Sequence, residues 1–149
     1  MGIYVIIPAL NEEEAISKVI QDIPKEIVKE VVVVDNGSTD NTAQQAQESG
    51  ATVLMEKQRG YGFACLKGIH YISTKKHSDS SNIIVFLDGD YSDYPEELRK
   101  LIKPILHDEA DMVIGTRETE NLEKNFCCIP RIAAIGQPNL HQTLVPRRG

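Results

Sequence analysis

Apolar and polar positions along the chain follow two different patterns. Between short, continuous apolar runs, apolar residues recur every three or four positions, a spacing that predicts amphipathic helices. Runs that are apolar throughout and alternate with helices are typical of a parallel sheet covered on both faces. We therefore predict an α/β fold with a doubly wound sheet. The apolar runs predict strands at 3–7, 31–34, 51–55, 83–87 and 111–115.

Polar and glycine residues mark the expected helix ends. Asn11 is the expected N-cap of the first helix, with glutamates 12–14 in its first turn, and Pro24 ends it. The second helix, rich in Ala and Gln, is expected to end at Gly50. The third is expected to begin at 60–62 and the fourth at 93–95.

Groups suited to a nucleotide follow the predicted strands. Asp88-Gly89-Asp90 comes directly after the run 83–87, and Mg²⁺ is usually bound through one or two carboxylates and substrate phosphates. Ligands in such sheets bind outside the carboxyl ends of the strands. These ends also carry Pro8 to Glu12, Asp35 to Ser38, and Gly115 to Arg117.

Each of these clusters also has a purely structural explanation. A pair of aspartates one residue apart occurs by chance, and Asn11 with its glutamates can be only a helix cap. Residues 35–38 can be only a turn, since Asn-Gly is a strong turn signal, and Arg117 can be one surface cation among sixteen basic residues. The four clusters together favour a nucleotide site.

Composition excludes several classes of function. With 149 residues, 41% of them hydrophobic, the chain is expected to form one domain with a proper core. It has no Trp and a net charge of −6, which argues against nucleic-acid binding and against a simple electrostatic membrane anchor. The three cysteines have no zinc spacing and predict reduced thiols in a cytoplasmic protein. The apolar run 3–7 is too short to span a bilayer, no signal peptide precedes it, and the chain has no P-loop motif.

Taken in order, the motifs resemble those of the family 2 glycosyltransferases, in the branch that includes dolichol-phosphate mannose synthase and polyprenyl-phosphate glucosyltransferases. The resemblance covers about residues 3 to 136. It implies a Rossmann-like GT-A fold that binds a nucleotide sugar, with a mostly parallel sheet and helices on both faces. The motifs are Ile7 to Glu13, Val33 to Asp40, Gly60 to Gly62, Leu87 to Asp90 and Ile114 to Arg117.

The resemblance also implies the chemistry and its residues. The family transfers a sugar, with inversion, from a UDP- or GDP-sugar to an acceptor, here a polyprenyl phosphate or a glycan. Asp88 and Asp90 would face Mg²⁺ or Mn²⁺, and a lipid-phosphate acceptor would place the protein at the cytoplasmic face of a membrane. No residue stands out as a general base, and an acceptor that is already a phosphate anion needs none. The nucleotide-sugar contacts implied are Pro8, Leu10, Glu12, Val34, Asp35, Gly89 and Arg117.

The end of the chain departs from the family pattern. Residues 138–149 contain two prolines, no apolar period and a basic end, so we expect a donor domain at 1–137 followed by an irregular tail. A C-terminally truncated or frame-shifted product is therefore expected, and its exposed apolar face would favour a homodimer. Two alternatives stay open. One is a nucleotide-sugar-binding remnant that lacks the acceptor half. The other is a sugar nucleotidyltransferase, which the acidic loop after the first strand disfavours.

Overall fold

The computed structural model describes residues 1–75 and 82–115, and the backbone of residues 133–136. Strands and helices alternate along the chain up to residue 114, as the hydrophobic pattern predicts. A 3₁₀ turn, Pro95–Glu97, leads into the fourth helix. The elements are β1 (Ile3–Ala9), α1 (Ile16–Asp22), β2 (Glu30–Asp35), α2 (Thr42–Glu48), β3 (Thr52–Met55), α3 (Tyr61–Ser73), β4 (Ile83–Phe86), α4 (Leu98–Leu106), β5 (Met112–Ile114) and β6 (Ala133–Gly136).

The six strands form one sheet in the order β3-β2-β1-β4-β6-β5. The pairs β1/β2, β1/β4 and β2/β3 are parallel, whereas β6 lies antiparallel between β4 and β5. The prediction of a mostly parallel α/β sheet is therefore confirmed. The strand β6 was not predicted, because Ala and Gly have low strand propensity and the segment shows no alternation.

Helices cover both faces of the sheet. On one face α1, α2 and α4 bury apolar side chains such as Ile16, Ala46 and Ile102 against β1, β2 and β4. On the other face α3 packs through Ala64 and Ile72. The alternating residues of β1 divide between the two faces: Val5 and Ile7 join the first cluster, and Tyr4 and Ile6 join the second. Every residue of β1 except Pro8 is buried, as expected for a central strand.

The predicted start of the first helix is wrong. The helix begins at Ile16, with Ala15 rather than Asn11 at the N-cap position. Asn11 has φ +56°, in the left-handed region that Asn tolerates better than most residues, so the chain turns there before the helix can start. Gly50, where the second helix was expected to end, has φ +90° and lies two residues beyond the last residue of α2. It reverses the chain there, although Ser49 is the C-cap residue.

Candidate functional site

The topology creates a crevice between the carboxyl ends of β1 and β4. The chain runs outward from β1 to β2 and β3 and then returns to β4 on the other side of β1, so the direction of strand order reverses between β1 and β4. In open α/β sheets this is the position at which ligands bind. The loops that follow β1 and β4 carry Asn11-Glu12 and Asp88-Gly89-Asp90.

Pro8 explains why β1 and β4 separate at this point. The Ile6 carbonyl accepts a hydrogen bond from the Leu87 amide at 3.1 Å. In β1, therefore, the backbone N–H and C=O groups of every second residue, counted from Ile6, point toward β4. Pro8 is the next residue on that side, and a proline has no N–H to donate to the ladder. Pairing with β4 ends at Ile6 and Phe86, while pairing with β2 continues to Ala9 and Asp35. The crevice opens where the proline interrupts the ladder.

The loops after β1 and β2 are joined by hydrogen bonds that close one side of the crevice. The Asn11 amide donates to Ser38 Oγ at 2.9 Å, and the Thr39 amide donates to Asn11 Oδ1 at 2.8 Å. The Glu12 amide donates to Thr42 Oγ1 at 2.8 Å. Asn11 thus ties two loops together instead of capping a helix, which explains its left-handed backbone.

Glu13, one of the acidic residues after β1, adds further hydrogen bonds between the loops that follow β1 and β2. The Glu13 amide lies 3.3 Å from Asp40 Oδ2, and Glu13 Oε2 accepts the Asn41 amide at 2.9 Å. Burial raises the pKa of Asp40, but hydrogen bonds from the Thr42 hydroxyl and amide outweigh it and leave that pKa below its ordinary value. Asp40 therefore stays ionised beside the crevice.

Glu12 lies directly beneath the aspartate pair. A Cβ on the buried Gly89 would be 3.4 Å from Glu12 Cγ and 3.5 Å from Ile16 Cδ1, so the segment 88–90 rests on the Glu12 side chain. Burial raises the pKa of Glu12, and the charges of Asp90, Asp40 and Asp88 raise it further. The crevice is therefore strongly negative and suited to a cation.

A polar cleft of about 340 Å³ lies at this point. Its walls come from the loops after β1, β2 and β4. Its lining residues are Asn11, Glu12, Glu13, Glu14, Ala15, Asp40 and Asp90.

The end of β2 holds two of the predicted nucleotide-sugar contacts, Val34 and Asp35. Asp35 is 2% exposed, and its Oδ1 accepts the Ser38 amide at 2.9 Å, so it closes the turn that the sequence indicates. Val34 is fully buried against α3, so its side chain does not line the cleft. Pro8 is half-buried opposite Val34, and Leu10 is exposed beside it. Arg117 lies outside the described residues, as do Cys127, Cys128 and the predicted tail.

Two polar residues near the crevice were given no individual role by the sequence. Asn36 is 6% exposed and bonds to three backbone groups of the loop 56–60, and Tyr61 places its hydroxyl 3.3 Å from Asp88 Oδ1. Burial, followed by the Asp88 charge, raises the pKa of Tyr61, so the hydroxyl keeps its proton. Both residues lie in segments that the sequence singled out, 35–38 and 60–62, but the patterns assigned no contact to either side chain.

The donor set at the crevice fits a cation that substrate phosphates help to hold. Among the described residues, no group of three or more His, Cys, Asp or Glu side chains is arranged to hold a metal ion alone. Asp88 and Asp90 supply two carboxylates in a negative crevice, which matches the way Mg²⁺ is bound in phosphate-transfer sites. The chemistry of the residues present therefore fits a divalent cation together with a diphosphate.

Comparison with known families assigns the chain. The model of "Glycosyl transferase family 2" matches residues 4–142. The chain belongs to glycosyltransferase family 2. This confirms the resemblance that the motifs indicated, and the family match covers both the loops after β1 and β2 and the aspartate pair.

Several curated relatives match most of this chain. Protein RfbJ of Shigella flexneri is 36% identical over 126 residues, covering 83% of this chain and 91% of RfbJ. The UDP-N-acetylglucosamine–dolichyl-phosphate N-acetylglucosaminyltransferase of Methanococcus voltae is 28% identical, covering 90% of this chain and 59% of that enzyme. The chain spans about half the length of other relatives, 54% and 52% of two Methanocaldococcus jannaschii proteins.

Solved structures confirm the fold. Glucosyl-3-phosphoglycerate synthase of Mycobacterium tuberculosis, crystallised with Mn²⁺, UDP-glucose and phosphoglyceric acid, superposes with a TM-score of 0.62 at 31% identity. The match covers 74% of this chain and 42% of that enzyme. The Rossmann-like α/β fold of a family 2 glycosyltransferase is thus established for this chain. Within the described part, no helix combines the length and apolarity needed to cross a membrane.

Proposed function

We propose that this chain binds a nucleoside diphosphate sugar in the crevice between β1 and β4 and takes part in transfer of the sugar, with inversion, to an acceptor. One observation carries the proposal. The fold brings Glu12 and the segment Asp88-Gly89-Asp90 into contact at the point where strand order reverses. Residues more than 70 positions apart in sequence thereby form one negative site at the position where α/β sheets bind ligands.

The loops after β1 and β2 would hold the nucleoside. Pro8 and Leu10 offer apolar surface beside the crevice, and the buried Asp35 carboxylate can accept a hydrogen bond from a base N–H. The mycobacterial enzyme was crystallised with UDP-glucose, and the Methanococcus enzyme is named for a UDP-sugar, which supports UDP as the donor nucleotide here. GDP is the alternative nucleotide. Val34 would take part only through its backbone, since its side chain is fully buried.

Asp88 and Asp90 would hold Mg²⁺ or Mn²⁺ against the donor diphosphate, with Gly89 setting their distance from Glu12. A bound divalent cation offsets the negative charge that develops on a departing diphosphate. Burial raises the pKa of Glu12 most, and the charges of Asp90, Asp40 and Asp88 raise it further; a cation between these carboxylates would relieve the charge part. Mn²⁺ in the mycobacterial structure is consistent with the same metal chemistry. Arg117 is proposed as a further diphosphate contact, on the basis of the motif alone.

We propose a phosphate-bearing acceptor, with a polyprenyl phosphate as the leading candidate. The Methanococcus enzyme is named for dolichyl phosphate, and the mycobacterial one was crystallised with phosphoglyceric acid. A phosphate oxygen is already an anion at neutral pH and needs no general base. A lipid acceptor would bring the protein to the cytoplasmic face of a membrane. A glycan acceptor, the donor domain at 1–137, its tail at 138–149 and homodimer formation stay predictions.

Calorimetry and a turnover assay test this proposal in two steps. The purified chain is titrated with UDP and with GDP, first with Mn²⁺ and then with EDTA. We expect one nucleotide to bind in a metal-dependent manner, and absence of binding by both would contradict the proposal. Labelled UDP- or GDP-sugar with a polyprenyl phosphate then measures transfer. Donor binding without turnover would instead favour the nucleotide-sugar-binding alternative.

A further inference from the structure

Tyr61 lies beside the aspartate pair although it belongs to the first turn of α3. Its hydroxyl is 3.3 Å from Asp88 Oδ1 and donates a hydrogen bond to it. We propose that Tyr61 is a positioning residue: its hydroxyl holds the Asp88 carboxylate in the orientation that meets a divalent cation and the donor diphosphate. This inference rests on the proposed function and adds to it a residue that the motifs do not assign.

The loop before α3 fixes where Tyr61 stands. Asn36 Nδ2 donates to the carbonyls of Glu56 at 3.1 Å and Gln58 at 2.8 Å, and Asn36 Oδ1 accepts the Gly60 amide at 2.7 Å. These three bonds attach the loop to the end of β2. Gly60 has φ +138°, a conformation that L side chains rarely adopt, and Tyr61 follows directly. The position of Tyr61 is therefore set by the backbone.

Close packing of α3 on β1 brings its first turn toward β4. A Cβ on Gly68 would be only 2.7 Å from Ile6 Cγ2, so the helix approaches the strand more closely than any larger residue would allow. β4 lies next to β1 in the sheet and leads into Asp88. A tyrosine at the start of α3 has the length to reach across β1 to that carboxylate, and Tyr61 does so.

A phenol is well suited to orient a ligating carboxylate. It donates one hydrogen bond without bringing a positive charge that would compete with a cation. Partners that orient metal ligands typically change metal affinity 10- to 100-fold when they are removed. Phe at position 61 would keep the ring and remove only the donor, since Tyr61 is 56% exposed and the ring does not fill the core.

The first test measures Mn²⁺ affinity by the loss of the free Mn²⁺ electron paramagnetic resonance signal, with UDP present and, separately, with GDP. We expect Tyr61→Phe to weaken Mn²⁺ binding about tenfold, with an unchanged thermal midpoint. Tyr71→Phe is the matched control. It lies on the same helix, and its hydroxyl also bonds to a carboxylate, Glu30, at 3.0 Å. We expect this variant to keep full Mn²⁺ affinity.

The second test asks whether Tyr61 acts through Asp88. Mn²⁺ affinity in the presence of UDP, and separately of GDP, is measured for Tyr61→Phe, for Asp88→Asn and for the double variant. We expect Tyr61→Phe to cause no further loss once Asp88 is Asn. Equal Mn²⁺ affinity in wild type and Tyr61→Phe, or full additivity in the double variant, would overturn the inference while leaving the proposed function intact. A wild-type chain that binds no Mn²⁺ with either nucleotide would overturn both.

Discussion

Gly89 rests on Glu12: a Cβ at position 89 would lie 3.4 Å from the Glu12 Cγ atom. This contact joins the loop after β4 to the loop after β1 and sets three acidic residues around one crevice. The same Cβ would lie 3.5 Å from both Ile16 Cδ1 and Ile7 Cγ2, so residue 89 is in van der Waals contact with α1 and β1 as well.

Glu12→Gln is expected to stabilise the ligand-free chain near neutral pH. Burial and the charges of Asp90, Asp40 and Asp88 raise the pKa of Glu12 above 4.5, so the ionised form costs stability above the raised value. That cost shrinks as the pH falls through the raised value, and it is gone below the unfolded-state pKa, where Glu12 is protonated in both states. After allowance for solvent screening, we expect a gain of about 0.2–1 kcal/mol near neutrality that shrinks under acid conditions.

Urea unfolding of the wild type and of Glu12→Gln, at pH values from neutral to acid, measures the difference in their free energies of unfolding. Glu14→Gln is the control, because Glu14 is exposed and its charge is not among those that raise the Glu12 pKa. A stability gain that is the same at acid and neutral pH would show that charge repulsion is not its cause.

Asp35→Ala and Asp35→Asn separate two roles of the residue at the end of β2. Asp35 Oδ1 accepts the Ser38 amide at 2.9 Å, and Asn can keep this bond whereas Ala cannot. If Asp35 also binds a base N–H, the Ala variant should lose about 1–3 kcal/mol of nucleotide affinity. We expect the Asn variant to keep stability while losing affinity.

Calorimetry on the folded fraction of each Asp35 variant gives the affinity, and thermal unfolding gives the stability. If both variants keep the wild-type nucleotide affinity per folded molecule, Asp35 does not bind the base and serves only to close the turn with the Ser38 amide.

Glu30→Gln is expected to lower stability at neutral pH without changing nucleotide affinity. Burial raises the pKa of Glu30, but bonds from Lys75, Thr52 and Tyr71 outweigh it and hold that pKa below 4.5. A lowered pKa stabilises the fold above 4.5, and this contribution is lost as the pH falls through the lowered value. The loss in Glu30→Gln should be about 1–2 kcal/mol at neutral pH and much smaller in acid.

Thermal unfolding at neutral and at acid pH measures what the ionised Glu30 contributes to stability. Glu48→Gln is the control, because Glu48 is exposed at the end of α2. Glu30 is the first residue of β2, whereas the crevice lies at the carboxyl ends of the strands, so a change in nucleotide affinity would contradict the placement of the site.

The strands could be predicted because each apolar run is a local signal. The run Ile83 to Phe86 forms β4, and its aspartates follow as expected. Loop contacts could not be predicted in this way. Asn11 bonds to Thr39, 28 positions later, and has a left-handed backbone, so its capping preference was overridden by tertiary hydrogen bonds. The segment Ala133–Gly136 forms a strand because it pairs with β4 and β5. This pairing could not be predicted from the segment itself, whose Ala and Gly residues have low strand propensity.

The most direct test of the central claim is calorimetric titration of UDP and GDP, with Mn²⁺, into Asp88→Asn and Asp90→Asn. Asp108→Asn serves as the control, because Asp108 is exposed beyond α4 and has φ +56°, which Asn tolerates. We predict that each of the first two variants stays folded, with a thermal midpoint no lower than that of the wild type, and loses most of the metal-dependent affinity, while Asp108→Asn binds as the wild type does. Unchanged metal-dependent binding in both Asp88→Asn and Asp90→Asn would contradict the assignment of this crevice as the donor site.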